Sequence, residues 1–155
     1  MASIGAIEIA PSNENILWVG TGEGDPRNST SFGNGVYRST DAGRTWNYLG
    51  LEDTERIKRI AVHPTNPDVA YVCALGHAWG PNEQRGVFKT TDGGKTWKEL
   101  PGLRAAKGNL WQPGAGGMGL HTILLDPKNP NRIYIAISAA GAFRTDDGGK
   151  TWKPI

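Results

Sequence analysis

Cysteine is almost missing from this chain, and that alone removes two classes of protein. Cys73 stands alone, so no disulfide framework staples the fold and no Cys/His spacing suited to zinc occurs. It lies in the apolar run VAYVCAL, where it is expected as a small buried hydrophobe. Long apolar runs are missing too: no stretch approaches the roughly 18 residues of a membrane span. The opening MASIGAIEIA lacks the basic segment, apolar segment and cleavage site of a signal peptide. Neither sign of charge dominates, with 17 basic and 15 acidic residues giving +2. No electrostatic reason to expect nucleic acid follows. Walker loops, Rossmann glycine patterns and Ser–His–Asp motifs are likewise lacking. What the chain does have is glycine, 22 residues, and tryptophan, 6 residues. That mixture suits a turn-dense all-β protein.

A repeat organises these residues. The octet Ser39-Thr40-Asp41-Ala42-Gly43-Arg44-Thr45-Trp46 returns as Thr90-Thr91-Asp92-Gly93-Gly94-Lys95-Thr96-Trp97, and again as Thr145-Asp146-Asp147-Gly148-Gly149-Lys150-Thr151-Trp152. Upstream of each octet an apolar run ends at a proline: Ile4 to Pro11, Ile57 to Pro64 and His121 to Pro127. Turns of one composition follow, PSNEN, PTNPD and PKNPN, built from residues that favour turn geometry. Second strands are expected over residues 16–20, 69–75 and 133–138, with Trp18, Tyr71 and Tyr134 at one register. Third strands are expected over 35–38, 86–89 and 141–144, and each octet then turns the chain into a fourth strand opened by its tryptophan.

Four short strands in a unit of about 50 residues make one blade of a β-propeller. The fold expected is therefore all-β, with three blades of four antiparallel strands: blade 1 over residues 1–50, blade 2 over 51–101, a connecting loop over 102–119 and blade 3 over 120–155. Within each octet the aspartate accepts hydrogen bonds from its own turn and the glycine supplies a left-handed conformation. The threonine satisfies further turn groups, and the tryptophan ring covers the strand junction. Asp41, Gly43, Thr45 and Trp46 thus read as structural, as do Asp92, Gly94, Thr96 and Trp97, and Asp147, Gly149, Thr151 and Trp152.

The pattern S/T-x-D-x-G-x-T-W resembles the Asp-box, or BNR repeat, of sialidases, xyloglucan-degrading glycoside hydrolases, sortilin-type receptor propellers and a photosystem II assembly factor. The segments WGPNEQRGVFKTTDGGKTW and DPKNPNRIYIA are most similar to large bacterial exported proteins of the sortilin-like or BNR-repeat glycosyl hydrolase type. The resemblance implies a propeller and a secreted or periplasmic parent. It implies no activity, because the box lies away from a propeller's central site.

Three blades do not close around an axis, since propellers usually have about four to eight. An open array exposes the flanks of its first and last blades. The chain is then a fragment of a larger propeller or associates with itself, two copies forming a six-bladed homodimer.

Function is expected in the variable loops. TGEGDPRNSTSFGN holds the carboxylates Glu23 and Asp25 beside Arg27, and contains the glycosylation sequon Asn28-Ser29-Thr30. Its oxygens suit Ca²⁺ by type but lack the spacing of an EF-hand, so no metal or other cofactor is expected. GHAWGPNEQRG offers His77, Trp79, Asn82, Glu83 and Arg85. The long connection offers Arg104, Lys107, Trp111 and Gln112, and His121 begins an innermost strand, as Lys58 and Arg59 do one unit earlier. Trp79 and Trp111 are of the type that stacks on sugars; packing against a neighbouring blade is the other reading.

Glycoside hydrolysis requires two carboxyls across a cleft, and only Glu23, Asp25 and Glu83 are candidates. The expectation is a non-catalytic scaffold or recognition module for glycan or protein. The alternative is part of a BNR-type glycoside hydrolase.

Overall fold

A computed structural model describes residues 3–25, 29–78, 82–106 and 119–155. The described residues form three four-stranded antiparallel sheets, each a meander. The first contains β1 (Ile4–Ile9), β2 (Leu17–Thr21), β3 (Val36–Ser39) and β4 (Asn47–Tyr48). β5 (Ile57–Val62), β6 (Ala70–Ala74), β7 (Gly86–Thr90) and β8 (Lys98–Glu99) form the second. The third contains β9 (Leu120–Asp126), β10 (Asn129–Ile137), β11 (Gly141–Thr145) and β12 (Lys153–Pro154). Strands β1, β5 and β9 are innermost and lie side by side in that order. The expected all-β blades are therefore present.

Register repeats from blade to blade. Trp18 stands between Glu8 and Arg38, Tyr71 between Ala61 and Lys89, and Tyr134 between Leu124 and Arg144. Each innermost strand also slips by one residue near its start, leaving Gly5, Lys58 and His121 as the extra residues. Such bulges bend a strand and re-aim a side chain.

Because strand side chains alternate between faces, each inner blade presents one face to each neighbour. Trp18, Val36 and Ala10 of the first blade meet Ile60, Val62 and Val72 of the second. Ala61, Tyr71, Cys73 and Val87 on the second blade's other face meet Ile123, Ile135 and Phe143 of the third. Each fully buried large apolar side chain in these seams contributes about 1.5–3 kcal/mol. Cys73 is wholly buried, and burial pushes its thiol far above its ordinary pKa.

Three details differ from the sequence expectation. The connection after blade 2 opens with a one-turn helix, α1 (Gly102–Ala105), whose Leu103 is buried in the second seam. β10 begins inside the PKNPN turn. The fourth strands begin one residue after the tryptophan, and two of the three indoles leave their own blade: Trp97 donates from Nε1 to the Leu49 carbonyl at 2.8 Å, and Trp152 is buried in the second seam. In these two boxes the tryptophan fastens one blade to the next, whereas Trp46 stays over its own hairpin and donates to the Gly43 carbonyl at 3.1 Å.

Candidate functional site

The meander puts the Asp-box hairpins and the proline turns on one face, tied by backbone bonds from Ala42 to Asn15, Gly93 to Asp68 and Gly148 to Asn131. In each box one carboxylate oxygen accepts from the threonine amide and the other from its hydroxyl. For Asp41 these bonds to Thr45 are 2.8 and 2.6 Å, and the Ser39 hydroxyl donates at 2.8 Å. Asp92 and Asp147 repeat the arrangement. Three hydrogen bonds thus tie each carboxylate to its own hairpin.

The opposite face gathers the β2–β3 and β6–β7 loops and the connection from β4 to β5. There the backbone is under strain: Glu55 has φ 51 and ψ −42, and Leu51 has φ 64. Left-handed conformations cost a residue with a side chain about 1–2 kcal/mol, and strain of this kind concentrates at functional positions. The conformation lets Glu55 do three things. Its carbonyl accepts from the Gly33 amide at 2.6 Å, one carboxylate oxygen lies 2.6 Å from His77 Nδ1, and the other pairs with Arg56. Because a carboxylate only accepts, Nδ1 is the donor in this contact, and Nε2 is the ring nitrogen the contact does not use.

Arg56 is buried, and its guanidinium joins three segments. It donates to Glu55, to the Gly76 carbonyl at 3.3 Å and to the Thr30 hydroxyl at 3.1 Å, and it lies 5.0 Å over the exposed Phe32 ring. Arg85 supports the His77 loop from beneath, donating to the Leu75 and His77 carbonyls at 2.8 and 2.9 Å. Burial, and secondarily the charge of Arg104, lowers the pKa of Arg85. Arg104 in turn holds Glu99 and the carbonyls of Glu83 and Arg85.

Glu23, Thr30, Arg56, His77 and Arg85 line one recess. Glu23 also borders an open polar groove with Asp25, Ser29, Ser31 and Lys58, where Lys58 pairs with Asp25. The fold thus brings together Glu23, Asp25, His77 and Arg85 from the residues expected at a site. Glu83 lies elsewhere, in a groove with Glu52, Asp53 and Gln84. Asn82 donates to the His77 carbonyl at 3.2 Å and helps shape that loop. His121 is exposed at the blade 3 bulge, the position Lys58 holds in blade 2, and its Nδ1 contacts the Thr122 hydroxyl. Arg27, Trp79, Lys107, Trp111 and Gln112 lie outside the described residues. No cluster of metal-ligating side chains occurs among the described residues, and none of their helices is long and apolar enough to cross a membrane. Glu55 and Arg56 were not among the sequence candidates. The signal available was their place in LEDTER, a charged connection feeding an innermost strand.

Comparison with known proteins matches the BNR/Asp-box repeat family at residues 88–99 and 143–154, the second and third boxes. A probable oligoxyloglucan-reducing end-specific xyloglucanase of Neosartorya fischeri is 26% identical over 97% of this chain. A xyloglucanase of a Paenibacillus species is 31% identical over 78% of it. The chain spans only 17% and 12% of those proteins. Among solved structures, the GH74 enzyme of Niastella koreensis superposes with a TM-score of 0.69 at 22% identity. That match covers 99% of this chain and 22% of the enzyme.

Proposed function

We propose that this run of BNR/Asp-box propeller blades recognises a polysaccharide through its loop face. The carrying observation is the convergence of Glu23, Arg56, His77 and Arg85 on one recess, continuous through Glu23 with the groove of Asp25, Ser29, Ser31 and Lys58. Carboxylates, an imidazole, hydroxyls and an ammonium are the groups that bond sugar hydroxyls. The exposed ring of Phe32 beside them offers an apolar face to a pyranose. The names of the relatives support xyloglucan as the first polysaccharide to try. Such a ligand is met outside the cytoplasm. Titration of the chain with xyloglucan oligosaccharides, followed by calorimetry, tests the reading. Saturable binding weakened at least fivefold by His77→Ala or Phe32→Ala, without release of reducing ends, is the expected result. No heat and no chemical-shift change at millimolar sugar overturns it.

A second reading, part of a glycoside hydrolase, is favoured by Glu23 and Asp25 bordering one groove and by the xyloglucanase relatives. On that reading the parent protein hydrolyses xyloglucan and loses turnover, with binding retained, in Glu23→Gln or Asp25→Asn. Glu83 lines a separate groove with Glu52 and Asp53.

A further inference from the structure

The β6–β7 loop that carries His77 turns on a glycine. Gly76 holds φ 63, and Oδ1 of Asn82 lies 2.0 Å from where a Cβ on it would sit. On either side of that glycine, the Leu75 and His77 carbonyls accept from Nε and Nη2 of Arg85, so a single guanidinium spans the turn. Asn82 donates to the His77 carbonyl from the returning arm as well. With its main chain pinned in this way and its Nδ1 against Glu55 at 2.6 Å, His77 is held at both ends.

Arg85 is itself held from outside the loop. Arg104 of α1 donates from Nη2 to the Arg85 carbonyl at 2.7 Å and to the Glu83 carbonyl, and from Nε to Glu99 of β8. The Glu99 carboxylate lies 2.8 Å from where a Cβ on Gly86 would sit, against the first residue after the loop. Its charge also offsets part of the repulsion between Arg104 and Arg85. The Arg104 side chain is 42% exposed, and an ion pair this open adds little to stability, so its effect is on geometry.

The repeat separates what builds blades from what only one blade has. Seam contacts recur: Leu49 lies 2.5 Å from a Cβ placed on the box residue Gly94, and Leu100 repeats the contact on Gly149. Trp97 stands edge-on to Trp18, with ring centroids 6.2 Å apart, and Trp152 is buried in the next seam. The arginine set does not recur. By register, Arg85 stands where blades 1 and 3 have Asn34 and Ala140, and Glu99 where they have Tyr48 and Pro154. Neither position needs an ionised side chain to make a blade. We propose that Arg104 is a positioning residue of the saccharide site, acting through Arg85 to hold His77 against Glu55. The inference rests on the reading of the loop face as a saccharide site, and it extends that site to α1, which lines neither the recess nor the groove.

The test compares Arg104→Met, which keeps the stem and removes the donors, with Arg132→Met, which breaks ion pairs of similar exposure on blade 3. Two readouts are taken. Ring nitrogen shifts, measured above the range in which an imidazole ordinarily titrates and assigned with His77→Gln, report the His77 tautomer. Calorimetry with xyloglucan oligosaccharides reports binding. The wild-type chain is expected to show a fixed Nδ1–H tautomer. Arg104→Met averages the two tautomers and weakens binding about fivefold, the scale of one hydrogen bond's net contribution. Arg104→Lys, which keeps a single donor head, falls between the two in both readouts, and Arg132→Met leaves both at the wild-type values. His77 signals unchanged in Arg104→Met overturn the proposal. So does an equal change in Arg132→Met, which would assign the effect to general loosening. A wild-type chain that binds no xyloglucan fails the saccharide reading, and the His77 signals then decide by themselves whether Arg104 holds that ring.

Discussion

The Trp97 indole nitrogen donates to the Leu49 carbonyl at 2.8 Å across 48 residues of chain, and joins the hairpin of one blade to the last strand of the one before. An octet that looks self-contained in sequence therefore does two jobs. Its aspartate and threonine close the turn locally, while its glycine and tryptophan receive the neighbouring blade. Conversion of an isolated hairpin into a stacked array rests on the second pair of residues.

Trp97→Phe keeps most of the apolar contact with Trp18 but removes the donor, leaving the Leu49 carbonyl without that partner. A loss of about 1 kcal/mol is expected, read as a lower urea midpoint with unchanged slope. Trp97→Ala removes the edge-on ring contact as well and costs more.

The box aspartates carry a pH dependence of definite sign. Hydrogen bonds from the Thr45 hydroxyl, its backbone amide and the Ser39 hydroxyl take Asp41 from an ordinary 3.8 to about 2. Thr96 does most to push Asp92 down, and Thr145 and Thr151 do the same for Asp147. A carboxyl that binds its proton more weakly in the folded chain stabilises the fold above its unfolded pKa. That contribution is lost as pH falls through the folded value. Stability is thus expected to hold above about pH 5 and to decline between the two pKa values, 3.8 and about 2 for Asp41. Urea midpoints measured against pH give the slope, and Thr96→Val, which deletes the bond at 2.6 Å to Asp92, makes it shallower.

The sequence disclosed the blades because the device that makes each hairpin is local: aspartate, glycine and threonine act within a few residues of one another. Trp18, Tyr71 and Tyr134 were legible at a common register for the same reason. The target of each box tryptophan was not, since nothing within the octet says whether its ring covers its own hairpin or the preceding blade. The loop-face site was half legible. Glu23, His77 and Arg85 stand out as charged residues in glycine-rich loops, whereas Glu55 depends on a left-handed backbone that no residue preference for glutamate predicts. Nothing in the local sequence marks Arg56, whose burial follows only from three segments meeting around it.

Ala42 departs from its two counterparts, and the departure has a cost. It holds φ 59 where Gly93 and Gly148 hold 75 and 73. An alanine in that region loses about 1–2 kcal/mol, partly offset because glycine gives up about 0.5–1 kcal/mol more backbone freedom on folding. Ala42→Gly is expected to raise stability by about 0.5–1 kcal/mol, seen as a higher melting temperature with the boxes otherwise unchanged.

Arg56 makes the most demanding prediction, because its guanidinium is the point at which the β2–β3 loop of blade 1, the β6–β7 loop of blade 2 and the connection between the blades are joined. Arg56→Met keeps much of the stem and removes the donors. Glu55, the Thr30 hydroxyl and the Gly76 carbonyl then each lose that partner, and Glu55 has less to hold it in its left-handed conformation. Breaking a buried ion pair from one side costs about 3–5 kcal/mol. The loss expected here is about 3 kcal/mol, at the low end of that range, because the Glu55 side chain remains 23% exposed. The damage is also local. Amide exchange should accelerate at Gly33 and Leu75, whose N–H groups bond to the Glu55 and Arg56 carbonyls, and stay slow at Thr45, Thr96 and Thr151 on the opposite face. Uniform acceleration at both faces would mean that Arg56 supports the whole blade array and not the loop face alone.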